Sequence, residues 1–205
     1  VNTMQQGIRC ELVTWDQVQQ VSRDLARRIH GDGFVPDMII ALGRGGWIPG
    51  RLMSDNLGIL NLTEFKVEHY TAIHKHETAK VRYPLAADPA GQRVLVVDDV
   101  TDTGDSFDVA LAHIRSRGEP AEMRTLVLHH KTVSPYVPHY YGALVTDWRW
   151  IIYPWALVED LSALINGMEG CPKDPESLAE CLLEQHGLRI QPATIGDILE
   201  LMQRH

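Results

Sequence analysis

The chain has 205 residues, enough for one domain with a sizeable core and a small appendage. Its hydrophobic content of 44% excludes general disorder, and no apolar run is long enough to span a bilayer. The net charge of −8 argues against broad affinity for nucleic acid or an anionic membrane, while leaving room for a local anion site built from backbone N–H groups.

The opening segment VNTMQQGIRCELV lacks the apolar stretch of a signal peptide, so a soluble, cytoplasmic protein is expected. Cys10, Cys171 and Cys181 show neither metal-ligand spacing nor an even-numbered disulfide framework. Thr14-Trp15-Asp16-Gln17 has the form of a capping box, and Val18, Val21, Leu25 and Ile29 recur at helical spacing until Gly31 and Gly33. Met38 to Leu42 is a short apolar run, read as a buried strand, and Gly43-Arg44-Gly45-Gly46 breaks it. A helix is predicted next, with Ile48, Leu52 and Met53 on one face and Gly58 beyond its end.

Residues 59–70 read as another strand. Residues 72–92 turn polar and mixed in charge, which predicts a loop. Val94 to Val97 is a strand, and Phe107, Ala110, Leu111 and Ile114 mark a helix that Gly118 ends. Residues 123–128 are the next strand. This alternation predicts an α/β fold with a mainly parallel sheet flanked by helices. The composition shifts near Asn166–Pro172, so residues 166–205 read as a linker and a short helical appendage to a domain of residues 1–165. In the tail, Asp174-Pro175 has the form of an N-cap with Pro at N1, and Gly187 would end that helix. A second helix follows Thr194, with Ile195, Ile198, Leu199 and Met202 on one face. These two short amphipathic helices must pack on something, and an acidic last helix argues against DNA reading.

Residues 94–106, VLVVDDVTDTGDS, carry the chemistry. Ligands of open α/β sheets bind beyond the carboxyl ends of strands, and this is such an end. Asp102-Thr103-Gly104-Asp105-Ser106 can wrap backbone N–H groups around a phosphate at the following helix, helped by the two hydroxyls. Asp98 and Asp99 are paired acceptors, suited to vicinal sugar hydroxyls or to Mg²⁺. No P-loop and no dinucleotide-binding glycine pattern is present. Two acids after a strand, taken alone, are more often a helix cap or a solvated strand end. Arg44 between glycines, at the end of a neighbouring strand, shifts the balance toward an anion site.

The stretch VLVVDDVTDTGDS resembles the phosphoribosyl-diphosphate (PRPP) motif of type I phosphoribosyltransferases. Residues 42–58, LGRGGWIPGRLMSDNLG, resemble the pyrophosphate loop and helix of the xanthine-guanine and hypoxanthine-guanine (6-oxopurine) enzymes. Lys131, Trp150-Ile151 and Pro154-Trp155 follow their purine-binding hood, here roughly residues 131–156. The resemblance covers about residues 10–160 and implies the type I phosphoribosyltransferase fold with a small hood.

It implies transfer of a 5-phosphoribosyl group from PRPP to N9 of xanthine, guanine or hypoxanthine, in purine salvage. It implies Mg²⁺ held by Asp98 and Asp99, and PRPP bound by Asp98, Asp99, Thr101, Asp102, Thr103, Gly104, Asp105 and Ser106. Pyrophosphate would meet Arg44, Gly45 and Gly46; the base would meet Lys131, Trp150 and Ile151. Asp102 would be the general base, since adenine, orotate and uracil enzymes typically carry Ala or Thr there.

Taken alone, Lys131 reads equally as a solvated lysine, and Trp150 and Trp155 more readily as core; the resemblance favours Trp150 as the stacker and Trp155 as its support. His74, His76, His129 and His130 read as exposed or packing residues. Lys75, Lys80 and Arg82 suggest a lid over residues 72–86. Relatives usually carry an acid after the Pro-Trp pair, where this chain has Ala156. A homodimer or homotetramer is expected, with no membrane and no nucleic acid as partner. Two other readings stay open: a PRPP-sensing regulator or binding module on the same fold, and a transferase for a different nucleobase.

Overall fold

The computed structural model describes residues 7–72 and 75–204. It forms two compact units, one of Asp16–Asp147 and one combining Val1–Trp15 with Trp148–His205.

The larger unit is built on a six-stranded sheet. Its strands are β2 (Met38–Gly43), β3 (Leu62–Ala72), β4 (Lys75–Tyr83), β5 (Arg93–Thr101), β6 (Glu122–Lys131) and β7 (Tyr140–Val145). Their order across the sheet is β4-β3-β2-β5-β6-β7. All neighbours are parallel except β3 and β4. Helices α1 (Trp15–Gly31), α2 (Trp47–Leu57) and α3 (Asp105–Arg117) accompany it. Strands covered on both faces need apolar residues at every position, and every residue of β2 and all of Val94–Val97 are buried. Phe107, Ala110 and Ile114 of α3 pack with Ile40, Leu42, Val94, Val96 and Val127 in the core. Gly50 of α2 lets that helix close on β2, since a Cβ there would lie 2.9 Å from Ala41 Cβ.

The predicted loop at residues 72–92 needs correction. Nine of its residues are β4, paired antiparallel with β3 so that Val67 opposes Val81 and Glu68 opposes Lys80. Val81 joins Val67 against the core, while Lys80, Arg82 and Tyr83 are exposed. Alternating charge on an outer strand is how a sheet edge discourages pairing with other chains, and that composition reads locally as loop.

The connection from β2 through α2 leads to β3 on one side; that from β5 through α3 leads to β6 on the other. Neighbouring β2 and β5 are therefore the point where the chain direction across the sheet reverses. Their carboxyl ends open the crevice where such sheets bind ligands.

In the smaller unit β1 (Cys10–Leu12) pairs in parallel with β8 (Trp150–Ile152). Around them lie α4 (Leu157–Gly167), α5 (Pro175–His186) and α6 (Pro192–Met202). Within residues 131–156, β7 closes the main sheet and β8 pairs with the N-terminal strand. The division falls at residues 147 and 148, whereas the composition shift lies near 166. Leu178, Leu182, Ile195 and Ile198 of the tail share a core with Ile152, Leu161 and Ile165. Asp174 caps α5 by accepting a hydrogen bond from the Ser177 N–H at 2.9 Å, with Pro175 following and Gly187 closing it at φ 75°. Helix α6 starts two residues before Thr194 because Pro192 stands at its first turn behind extended Gln191. Cys171 and Cys181 form a disulfide, a pairing that ten residues of separation do not announce. No helix among the described residues is long and apolar enough to cross a membrane.

Candidate functional site

Strand β5 continues through its acids to Thr101 because β6 pairs with it that far, Thr101 lying opposite His130. Asp98 leads the acidic run. Its partly buried carboxylate accepts the Asp99 N–H at 2.9 Å. Desolvation, and then the charge of Asp99, push the Asp98 carboxyl well above the ordinary carboxylate range. Two acceptors crowded in this way are relieved by a cation or by sugar hydroxyls.

The loop after β2 closes against the same acids. A Cβ on Gly45 would sit 2.6 Å from both Asp99 carboxylate oxygens. One on Gly46 would sit 2.3 Å from the Val97 carbonyl oxygen. Only glycine lets the Arg44-Gly45-Gly46 backbone approach β5 this closely. The Gly43–Arg44 peptide bond is cis, and Arg44 is exposed. Trp47 donates its indole N–H to Glu64 at 3.0 Å, bracing α2 against β3 beside Gly43.

Past β5 the chain turns through Gly104, at φ 87°, into α3. Glycine at the N-cap offers no side chain to the first turn, where the Asp105 N–H faces Thr103 Oγ1 at 3.5 Å and the Phe107 N–H donates to the Gly104 carbonyl at 2.9 Å. Thr103 donates its hydroxyl to Asp105 at 3.1 Å, holding the turn. Thr101 differs from its neighbours: its side chain is buried and pairs with His130 Nδ1 at 2.7 Å. Thr101 ties β5 to β6 and does not present its hydroxyl to a phosphate.

Lys131, the last residue of β6, has a side chain only 3% exposed, and its Nζ lies 2.6 Å from Asp102 Oδ2. The structure therefore gathers Arg44, Gly45, Gly46, Asp98, Asp99, Asp102, Thr103, Gly104, Asp105, Ser106 and Lys131 at the carboxyl ends of β2, β5 and β6.

Trp150 and Ile151 lie in the smaller unit. Trp150 is 43% exposed and donates its backbone N–H to the Arg9 carbonyl at 2.8 Å. Strand alternation then turns the Ile151 main-chain groups away from β1. The Trp150 indole N–H donates to Asp160, whose carboxyl burial raises and this bond lowers. Trp155 stacks on Tyr153 at 4.7 Å and meets Trp15 at 5.8 Å, a packing role. Of the lid residues, Lys80 is exposed, Arg82 lies 3.9 Å from Glu68, and Lys75 falls opposite Ala72 in the β4 register. His74 lies outside the described residues. His130, read as a packing residue, turns out to hold a strand of the site, and Tyr136 behind Gly104 carried no local signal at all.

Residues 11–160 match the phosphoribosyl transferase domain family. The chain belongs to that family. This phosphoribosyltransferase is 29% identical over 149 residues to a xanthine-guanine phosphoribosyltransferase of Cereibacter sphaeroides, covering 70% of this chain and 84% of the relative. Among solved structures it resembles a purine phosphoribosyltransferase from Pyrococcus horikoshii, with a TM-score of 0.65 and 31% identity over 72% of this chain and 94% of that one. It also resembles a hypothetical protein from Neisseria gonorrhoeae with bound ppGpp, with a TM-score of 0.63 and 27% identity over 78% and 97% of the two chains. The acid usual after Pro-Trp is Ala156 in this transferase, at the N-cap of α4, and Asp160 one turn later engages Trp150.

Proposed function

We propose that the protein transfers the 5-phosphoribosyl group of PRPP to N9 of a 6-oxopurine, releasing pyrophosphate and a nucleoside monophosphate in purine salvage. The observation that carries this reading is the Asp102–Lys131 pair beside the Gly104 cradle. The first-turn amides of α3, with Thr103 and Ser106, hold the 5-phosphate. Asp98 and Asp99 supply the oxygen donors that would hold Mg²⁺, whose positive charge would offset the negative charge of a departing pyrophosphate. Arg44 and the backbone of Gly45 and Gly46 receive that pyrophosphate.

N9 of the base attacks the anomeric carbon, the bond from that carbon to the pyrophosphate oxygen breaks, and its electron pair leaves with pyrophosphate. Positive charge builds on the ribose ring, and the carboxylates beside it stabilise that charge. Asp102 takes the proton that the imidazole ring of the purine loses. Lys131 donates to the exocyclic oxygen of the base. The family resemblance assigns stacking on the base to Trp150 and reading of its edge to the Ile151 main chain. Lys75, Lys80 and Arg82 on the β3–β4 edge attract the pyrophosphate end of PRPP. The protein works in the cytoplasm as a homodimer or homotetramer, which sedimentation distinguishes.

Pyrophosphate release from PRPP and magnesium with xanthine, guanine, hypoxanthine, adenine and orotate tests the reading. Turnover with at least one 6-oxopurine and none with adenine or orotate supports it. The bound ppGpp of the Neisseria neighbour favours a second reading, a nucleotide-binding sensor on the same fold. PRPP or ppGpp binding in calorimetry, with no turnover of any base, selects that one.

A further inference from the structure

The connection between β6 and β7, residues 132–139, is fastened to the sheet at both ends and meets the turn before α3 between them. Its first residues fold back on the strand end that carries Lys131, with the Ser134 N–H donating to the Lys131 carbonyl at 3.0 Å and the Thr132 N–H to the Val145 carbonyl at 3.0 Å. Its last residues grip Thr125, a buried residue in the middle of β6. The Tyr136 hydroxyl lies 3.0 Å from Thr125 Oγ1, and His139 Nδ1 lies 3.0 Å from the same oxygen. The His139 backbone N–H also donates to Thr125 Oγ1, at 3.2 Å.

Between these anchors Tyr136 meets the start of α3. Its ring stacks on Phe107 with centroids 4.9 Å apart and planes 5° from parallel. Phe107 stands in the first turn, and its N–H donates to the Gly104 carbonyl at 2.9 Å. On the other side of that turn, a Cβ at Gly104 would lie 2.6 Å from Tyr136 Cβ and 3.1 Å from Ser134 Oγ. Ser134 itself is buried and donates its hydroxyl to the Tyr136 carbonyl at 3.1 Å, which keeps the two residues in one shape.

We propose that Tyr136 is a positioning residue for the phosphate cradle: pressed on Gly104 and Phe107 and tied to Thr125, it fixes the first-turn amides of α3 in the geometry that receives the 5-phosphate of PRPP. The inference rests on the transferase reading above. An aromatic ring with two torsions, held by a stack and a hydroxyl, is a stiff wall; a glycine turn without one is free to move. The amides then have to be ordered by the ligand itself, and affinity falls by the cost of that ordering. The glycines after β2 close on Asp99 and Val97 instead, and on the transferase reading that loop receives the other end of PRPP, so the effect is confined to the ligand that carries a 5-phosphate.

Calorimetric titration with PRPP and, separately, with inorganic pyrophosphate, both with magnesium, tests this on the full chain. Tyr136→Ala should weaken PRPP about tenfold and leave pyrophosphate within twofold, at unchanged far-ultraviolet circular dichroism. Tyr136→Phe, which keeps the ring on Phe107, should retain most of the PRPP affinity. Equal losses for both ligands, or PRPP affinity unchanged in Tyr136→Ala, overturn the positioning role while leaving the transferase reading intact. Failure of the wild-type protein to bind PRPP at all overturns both.

Discussion

Lys131 Nζ lies 2.6 Å from Asp102 Oδ2, and they come from the ends of adjacent parallel strands. The lysine is almost wholly buried and the carboxylate one-third exposed, so the pair faces the crevice through its acid. Thr101 and His130, one residue earlier on each strand, lock the register with a 2.7 Å hydrogen bond. On the proposed reading, a purine entering the site meets an acceptor and a donor already held at fixed separation. Preorganisation of this kind lowers the cost of reaching the transition state.

On the proposed reading, Asp98 is a place where function opposes stability. Its raised pKa means that the folded protein holds this proton more tightly than the unfolded chain does. Stability from the group is present at low pH and is lost as pH rises from the ordinary carboxylate value through the raised one. At neutral pH keeping the group ionised costs stability, a cost that a cation bound there would offset. Asp98→Asn should raise the melting temperature of the unliganded protein by a few degrees and weaken PRPP with magnesium at least tenfold. The two are read by calorimetric melting and by titration.

His130 titrates in the opposite sense. Burial lowers its pKa below the ordinary 6.5, so the unfolded chain takes up the proton first as pH falls. Its contribution is complete above about pH 6.5 and is lost as pH drops through the lowered folded value. Melting curves between pH 7.5 and 5 should show wild-type stability declining on the acid side. His130→Gln should decline less steeply, from a lower starting value. His113 and His139 shift the same way, so some slope remains.

Asp160 holds the Trp150 indole from α4. On the proposal that Trp150 stacks on the base, Asp160→Ala removes one restraint on the ring and the cost should fall on the base. Steady-state kinetics should show KM for the purine rising about five- to tenfold, the worth of about one hydrogen bond, while KM for PRPP stays within twofold. A change in KM for PRPP alone would contradict the proposal that Trp150 stacks on the base.

Truncation after Asn166 strips α5 and α6 from Ile152, Leu161 and Ile165. Each of these apolar side chains is stabilised by about 1.5–3 kcal/mol when covered, so the melting temperature should drop by ten degrees or more. Differential scanning calorimetry of the shortened chain checks this, and an unchanged transition would show that the tail is not part of the core.

What was legible in the sequence was what short segments determine alone. The run Val94–Val97 followed by Asp98-Asp99 announces a strand end, and Gly45 and Gly46 announce a close approach. Lys131 could be placed because a strand fixes where its last residue lies. Long-range pairing was not legible: β1 meets β8 across some 140 residues, and Cys171 and Cys181 carry no spacing signature. Strand β4 was hidden by its charges, since an edge strand with one covered face resembles a loop in composition. Thr101 belongs to a site motif, yet its hydroxyl goes to His130, because the motif spans the last strand residue as well as the turn. Tyr136 is set by contacts with Phe107 and Gly104, thirty residues away, which no local pattern encodes.

The most direct measurement is turnover of Asp102→Asn with PRPP, magnesium and the preferred 6-oxopurine, alongside its PRPP affinity. Asn keeps the shape and a hydrogen bond to Lys131 but cannot take a proton. The value of kcat should fall by about 10²–10⁴ with PRPP affinity within threefold of wild type. A fall of less than tenfold would contradict it, leaving Asp102 as a partner for Lys131 and the general base elsewhere.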